Sequence, residues 1–362
     1  MLYWQPTFRW GRSAQVNKGP MRHYLHVSDY TAHELQHLLD LALRLKRERQ
    51  RGGNRPILKG QVLGMVFQKP SLRTRVSFDM AMRHLGGDAL YLSPAEIGLG
   101  GREAVADVAR VLSGYVQAIM ARTFAHQHIL ELAQYASVPV INGLSDYNHP
   151  CQALADALTI VEHKGGLKGV NVTFIGDGNN VAVSLMHICA KLGANFTLAA
   201  PEGYDLNPEA VSGARAIAED SGSTLLFVRD PHEAVTGADV LYTDTWTSMG
   251  QEAETEKRKL VFPPYQVNSA LLAEAAPGAI VMHCLPAHRN QEITDEVMDG
   301  PQSVVFPQAE NRMHAQKAIL AFLLAEGGQL PTPKPPLRKA APAKRAAAKN
   351  NGAGKKAAAR KR

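Results

Sequence analysis

The chain has 362 residues, 45% hydrophobic and 20% charged, enough for about two domains with substantial cores. Its longest apolar runs are strand-sized, short of the roughly 20 residues that a membrane-spanning helix needs. Its net charge of +7 belongs to one end: residues 331–362 hold 11 Lys/Arg and no acid, leaving 29 basic against 33 acidic residues, a net of −4, in the rest.

In chain order, the first 28 residues carry Arg9, Arg12, Lys18 and Arg22 but no acid. That charge pattern resembles a transit peptide, yet no amphipathic helical repeat accompanies it, and Met21 offers a second start. We expect residues 1–23 to be a flexible, dispensable extension of a cytoplasmic protein. Cys151, Cys189 and Cys284 are too few and too scattered for a disulfide framework and fit a reduced compartment. Thr31 to Arg49 predicts a helix with Leu35, Leu38, Leu39, Ala42 and Leu45 on one stripe and Thr31 and Glu34 at capping-box spacing. Strand 61–67, helix 74–85, strand 88–92, helix 102–113, strand 116–121, helix 127–136 and strand 138–141 follow. Pro150 opens a long helix, 151–163, which Gly165-Gly166 ends. A second alternation then runs through strand 170–175, helix 181–192, strand 195–199, helix 208–219, strand 224–228, helix 231–236 and strand 239–242. Residues 245–259 are polar and poorly periodic, as in a mobile loop, before strand 279–283 and a closing helix over 311–325.

This βα alternation predicts an α/β protein of two doubly wound parallel-sheet domains joined by interdomain helices, with an active site in the cleft. The expected division is 24–150, 151–309, and a C-terminal helix, 310–330, packing back on the first domain. The Lys/Ala/Pro-rich segment 331–362 cannot bury apolar surface and is expected to be disordered, with at most non-specific, salt-sensitive contact to a polyanion.

Chemistry-bearing residues gather where strands end. Ser71-Leu72-Arg73-Thr74-Arg75 follows an apolar strand and opens a helix, whose free N–H groups and positive dipole end favour an anion. Arg73 and Arg75 add forked donors that fit phosphate oxygens, so a phosphorylated small molecule is the expected ligand. His149 and Gln152 lie three apart on one face of the next helix start; a histidine there can donate to a developing oxyanion. Gly176-Asp177-Gly178-Asn179-Asn180 resembles a dinucleotide fingerprint but has Val181 in place of the third glycine. Asp244 ends another strand and can meet a cation, while Ser248, Met249 and Gly250 begin the suspected loop. His283, Cys284 and His288 invite a metal reading, but their spacing matches no zinc template. Arg312 adds a cation at the start of the last helix.

Four of these segments, in matching order between about Tyr24 and Ala325, resemble the carbamoyltransferase family, and within it the members that use ornithine. They are Phe67-Gln68-Lys69-Pro70-Ser71-Leu72-Arg73-Thr74-Arg75, His149-Pro150-Cys151-Gln152, Asp244 with Ser248-Met249-Gly250, and His283-Cys284-Leu285-Pro286. The resemblance implies that carbamoyl phosphate binds first, on the N-terminal domain, without cofactor or metal. Ser71, Leu72, Arg73, Thr74 and Arg122 would hold the phosphate, with Leu72 offering only its backbone N–H where the family commonly has Thr or Gly. Thr74, Arg122 and His149 would meet the carbamoyl oxygen, and Gln152, the Leu285 carbonyl and Arg312 the carbamoyl nitrogen. Asn180, Asp244, Ser248 and Met249 would grip the amino-acid end of L-ornithine, with Cys284 and Asp244 near its δ-amine. The resemblance also implies a homotrimer. Acceptors such as putrescine or N-acylated ornithine remain open, as do an NAD-dependent oxidoreductase, for which Glu202 stands after the next strand, and a nucleic-acid-binding protein driven by the basic tail.

Overall fold

The computed structural model describes residues 21–248 and 251–330; the readings made for 1–20, for Met249 and Gly250 and for 331–362 lie outside them. The chain enters through helix α1 (Ala32–Gln50), closed by the predicted capping box. Thr31 Oγ1 accepts from the Glu34 N–H at 3.2 Å, and Glu34 Oε2 accepts from the Thr31 N–H at 2.8 Å. Strands β1 (Val62–Phe67), β2 (Asp88–Leu92), β3 (Ala118–Arg122) and β4 (Val140–Leu144) then form a parallel sheet in the order β2-β1-β3-β4. Its connections are α2 (Leu72–His84), α3 (Pro94–Ile97) with α4 (Val105–Ser113), and α5 (His126–Tyr135).

Helix α6 (Pro150–Lys164) is buried throughout its first eleven residues, as expected of a helix that is apolar on most sides. Beyond it lie β5 (Asn171–Ile175), α7 (Asn180–Leu192), β6 (Asn195–Ala199), α8 (Pro208–Ser221), β7 (Leu225–Val228), α9 (Pro231–Val235) and β8 (Val240–Thr243). Helices α10 (Thr255–Val261) and α11 (Ser269–Ala273), strand β9 (Ile280–His283), and helices α12 (Asp295–Met298) and α13 (Val305–Leu320) complete the chain. The second sheet is parallel, in the order β7-β6-β5-β8-β9. Strand order therefore reverses between β1 and β3 in one sheet and between β5 and β8 in the other. Ligands of open α/β sheets bind beyond the carboxyl ends of strands at such reversals.

Helix α13 packs on α6, α1 and α2. Its buried polar groups are paired across those contacts: Asn311 Nδ2 donates to Thr159 Oγ1 at 2.9 Å, and Lys46 Nζ donates to Asn311 Oδ1 at 2.8 Å.

Besides α11 and α12, which the sequence reading lacks, the structure differs from it in three stretches. The closing helix starts at Val305, six residues early, and ends in a π-helical turn, Ala321–Ala325. The helix expected over 102–113 begins at Val105, preceded by the separate α3 with its own Ser93/Glu96 capping box. The stretch 245–259 is not loop throughout, because α10 begins within it and is tied down by Arg258.

Candidate active site

The ends of β1 and β3 carry the first half of the site. Ser71 caps α2, its Oγ accepting from the Thr74 N–H at 3.3 Å. Thr74 is wholly buried; its Oγ1 accepts from Ser71 Oγ at 3.2 Å and from Arg312 Nη2 at 2.8 Å. Both acceptor positions are thus used, and the Thr74 hydroxyl proton remains free to be donated. Arg122, the last residue of β3, is buried; burial first, then Arg312 and Arg73, lower its pKa to about 10. Among the described residues no carboxylate pairs with Arg73, Arg122 or Arg312. Three guanidiniums held within electrostatic reach of one another, uncompensated, favour a multiply charged anion. Leu72 is 76% exposed at the start of α2, and Arg75 is exposed with its guanidinium 4.2 Å over the Tyr91 ring.

His149 caps α6, its N–H donating to Ser184 Oγ at 2.8 Å, which ties α6 to α7. Burial, then Arg312 and Arg122, hold the imidazole pKa well below its usual value, so the ring is neutral at physiological pH. Gln152 Nε2 donates to Asp156 Oδ1 at 2.8 Å. Buried polar atoms without a protein partner concentrate here: Nε of Arg73, Arg122 and Arg312, His149 Nδ1 and Gln152 Oε1. Groups so placed are suited to satisfaction by a ligand.

The ends of β5, β8 and β9 carry the other half. Asp244 Oδ2 accepts from Asn179 Nδ2 at 2.8 Å, and its Oδ1 accepts from the Thr245 N–H at 2.8 Å and from the Cys284 thiol at 3.0 Å. Burial, then Asp244, push the Cys284 thiol pKa well up, so it stays protonated. Leu285 sits at φ 60, a left-handed conformation that costs a branched residue on the order of 1–3 kcal/mol and clusters at functional sites. Its N–H donates to His283 Nδ1 at 2.9 Å, and buried His283 Nε2 lies 3.1 Å from buried Glu292 Oε1. Asp244, His283 and Cys284 bring their ligand atoms within 4.8 Å of one another, but those atoms are engaged in the hydrogen bonds just described. Asn180 spans the two halves, its Nδ2 donating to the Ser145 carbonyl at 2.6 Å. The half-buried Ser248 follows Asp244 closely, its N–H donating to Gln251 Oε1 at 3.1 Å; Met249 lies outside the described residues.

Comparison with known proteins decides what this arrangement belongs to. The model for the carbamoyl-P binding domain of aspartate/ornithine carbamoyltransferase matches residues 22–162, and the model for the Asp/Orn binding domain of the same family matches 168–323. The chain belongs to the aspartate/ornithine carbamoyltransferase family. Its relatives within this family include an ornithine carbamoyltransferase of Pyrococcus abyssi, 54% identical over 303 residues, 84% of this chain and 96% of that one. The relative from Pyrococcus furiosus, named as anabolic, has the same identity and coverage, and one from Bacillus subtilis is 54% identical over 84% of this chain and 94% of its own. A solved ornithine carbamoyltransferase structure from Pyrococcus furiosus superposes with a TM-score of 0.81 at 54% identity, covering 83% of this chain and 96% of that one. The anabolic enzyme structure from Campylobacter jejuni, 36% identical, gives 0.80 over 85% and 100% of the two chains.

Against this family frame, sequence reasoning passed over three residues. Asn179, rather than Asn180, holds Asp244, and its Oδ1 also caps α7 by accepting from the Val181 N–H at 2.9 Å. Asp156 accepts from Gln152, and the 149/152/156 spacing along one helical face was the signal that could have found it. Arg258 pairs with Asp177 at 2.7 Å, donates to the Trp246 carbonyl at 2.8 Å and stacks 4.7 Å over Tyr204, fixing α10 to the β5 turn. The run Lys257-Arg258-Lys259 concealed it, because such a run reads as a solvated face.

Proposed function

We propose that the chain is an ornithine carbamoyltransferase, moving the carbamoyl group of carbamoyl phosphate to the δ-amine of L-ornithine to give L-citrulline and phosphate. The observation that carries this reading is the trio Arg73, Arg122 and Arg312, ion-paired with no carboxylate among the described residues, beside a neutral His149 and with Asp244 in the other half of the site. Residues 24–150 would bind carbamoyl phosphate and 151–309 ornithine, with 310–330 returning Arg312 to the first site.

The neutral amine attacks the carbonyl carbon and charge grows on its oxygen. The C–N bond forms, the bond to the bridging oxygen breaks, and the departing phosphate takes the amine proton. Arg122, the free proton of Thr74 and the imidazole of His149 stabilise the oxyanion; one such donor is worth about 3 kcal/mol of barrier. Ser71, Arg73 and the Leu72 N–H hold the phosphate, while Gln152, the Leu285 carbonyl and Arg312 hold the carbamoyl nitrogen. Asn180, Asp244, Ser248 and Met249 receive the amino-acid end. The protonated Cys284 and the Asp244 carboxylate lie near the δ-amine, which must shed a proton from a pKa near ~10.4, so the rate rises toward alkaline pH.

A homotrimer in the cytoplasm serving arginine biosynthesis completes the proposal. It is supported by exposed Leu72, Val76, Leu90 and Tyr115 on the first half, by free, buried cysteines, and by the anabolic relatives. Among the described residues no helix is long and apolar enough to cross a membrane. The deciding experiment supplies carbamoyl phosphate with ornithine, acetylornithine, putrescine or aspartate. Citrulline formation from ornithine at a kcat/KM at least ~100-fold above the others is expected; preference for another acceptor refutes the assignment. Sedimentation equilibrium checks the trimer.

A further inference from the structure

Four residues form a closed polar network at the buried junction of α6, β8 and α13. Asp156 is wholly buried and accepts three hydrogen bonds: from Gln152 Nε2 at 2.8 Å and Gln308 Nε2 at 2.7 Å on Oδ1, and from the Tyr242 hydroxyl at 3.2 Å on Oδ2. The orientation of Gln308 is itself set, because its Oε1 accepts from the His283 N–H at 2.8 Å. Its Nε2 therefore faces Asp156 and also donates to the Tyr242 hydroxyl at 3.1 Å. Asp156 Oδ1 accepts from both carboxamides, so Gln152 turns its NH2 end to it, and a proton on the acid would sit on Oδ2. Gln152 must then turn its Oε1 the other way, and that oxygen is buried without a protein partner. His149, Gln152 and Asp156 share one face of α6, and like His149 Nδ1 on the same helix start this oxygen is one of the buried unpartnered atoms of the anion half.

We propose that Asp156 is a positioning residue: by holding the Gln152 NH2 group it presents the Gln152 oxygen to the acyl substituent of the bound acyl phosphate, so that the site selects an N–H donor there. The inference rests on the carbamoyl-transfer reading above and deepens it. A carbamoyl group offers that N–H. An acetyl group, of nearly the same shape, offers a methyl and leaves the buried oxygen unpaired, which is the way a polar pocket rejects an analogue. Were the Gln152 carboxamide free to rotate, it would present either end and the preference would be lost.

The test is Asp156→Asn, which keeps the shape and replaces one acceptor oxygen by a donor. In the citrulline assay, KM and kcat are measured for carbamoyl phosphate, with acetyl phosphate and inorganic phosphate as competitive inhibitors. We expect kcat/KM for carbamoyl phosphate to fall about 10-fold or more, while Ki for acetyl phosphate and for inorganic phosphate each moves by less than about 2-fold. In a Gln152→Ala background, adding Asp156→Asn is expected to cost less than about 2-fold further. Parallel weakening of all three ligands, full additivity with Gln152→Ala, or an unchanged carbamoyl phosphate constant overturns the proposal. If Asp156→Asn does not fold, Tyr242→Phe removes one of the three donors and is expected to lower carbamoyl phosphate use about 2- to 5-fold with acetyl phosphate unaffected; a loss shared by both overturns it. Failure of the unmodified protein to make citrulline at all would instead count against the function reading, so the two failures are distinguishable.

Discussion

Arg73 and Arg75 stand two positions apart at the start of α2, yet their surroundings differ. Arg73 is half-buried with an unpartnered Nε, whereas Arg75 is exposed and lies over Tyr91. The difference gives a direct kinetic test. Arg122→Ala, which removes a buried donor at the oxyanion, is expected to lower kcat by ~100-fold or more, about 3 kcal/mol of barrier. Arg75→Ala should change kcat/KM by less than ~3-fold, since a surface cation–π contact is worth about 0.5–1 kcal/mol to stability and nothing to the reaction. Steady-state citrulline formation decides it; comparable losses in the two variants would remove Arg122 from the site. Much of the site was readable in the sequence because chemistry placed at strand ends follows hydrophobic runs that are easy to find. Asp156 was not, since one acid inside an apolar helical repeat stands out little even with Gln152 one turn before it, and its other partners, Tyr242 and Gln308, are distant in the chain.

At the level of elements, α10 differs most from its expectation. Its sequence is polar because most of its side chains face water, and its one buried cation, Arg258, is anchored to Asp177 just beyond β5 and to Glu254 at 2.9 Å. Burial alone pushes the Asp177 carboxyl up, and Arg258 draws it back. Arg258→Met would leave that carboxylate buried and unpaired, a loss of ~3–5 kcal/mol. Urea denaturation should register the loss. KM for ornithine should rise with it, because the same turn carries Asn179 and the segment containing Ser248 precedes α10. KM for carbamoyl phosphate should stay near its original value, since β1 and β3 are untouched. An unchanged denaturation midpoint would show that the pair holds nothing in place. Helices α10, α11 and α12 escaped the sequence reading for one shared reason: each is short, and a helix of four to seven residues spans too few turns to display a 3.6-residue repeat.

The molecule as a whole should be sensitive to acid. Burial pushes His26 down to about 3 and His314 to about 4, and burial with Arg312 holds His149 well below its usual value. His23, His84, His126 and His187 shift the same way, each chiefly through burial. As pH falls below about 6.5 the unfolded chain takes up protons that the folded one refuses, so stability is lost from there down toward about 4 and about 3, at up to about 1.4 kcal/mol per pH unit for each group. Asp156, pushed up to about 7, acts in the opposite sense between about 7 and 3.8, as do the raised Asp29 and Asp177, but the histidines outnumber them. Melting temperature should therefore be lower at pH 5 than at pH 7 by more than ~5 °C; an equal or higher value at pH 5 would contradict this balance. The two βα halves were readable at this scale because each strand and helix repeats its own period. The burial of Asn311 and Lys317 on α13 was not, because polar side chains of these types ordinarily face water. The uncompensated guanidinium trio has a last consequence. Exchanging Arg312 for a neutral, well-packed side chain would relieve mutual repulsion and toughen the fold while silencing it. A breeder who rewarded heat tolerance alone would thus harvest sturdy, inert descendants, and only selection on turnover would keep the crowded charges in place.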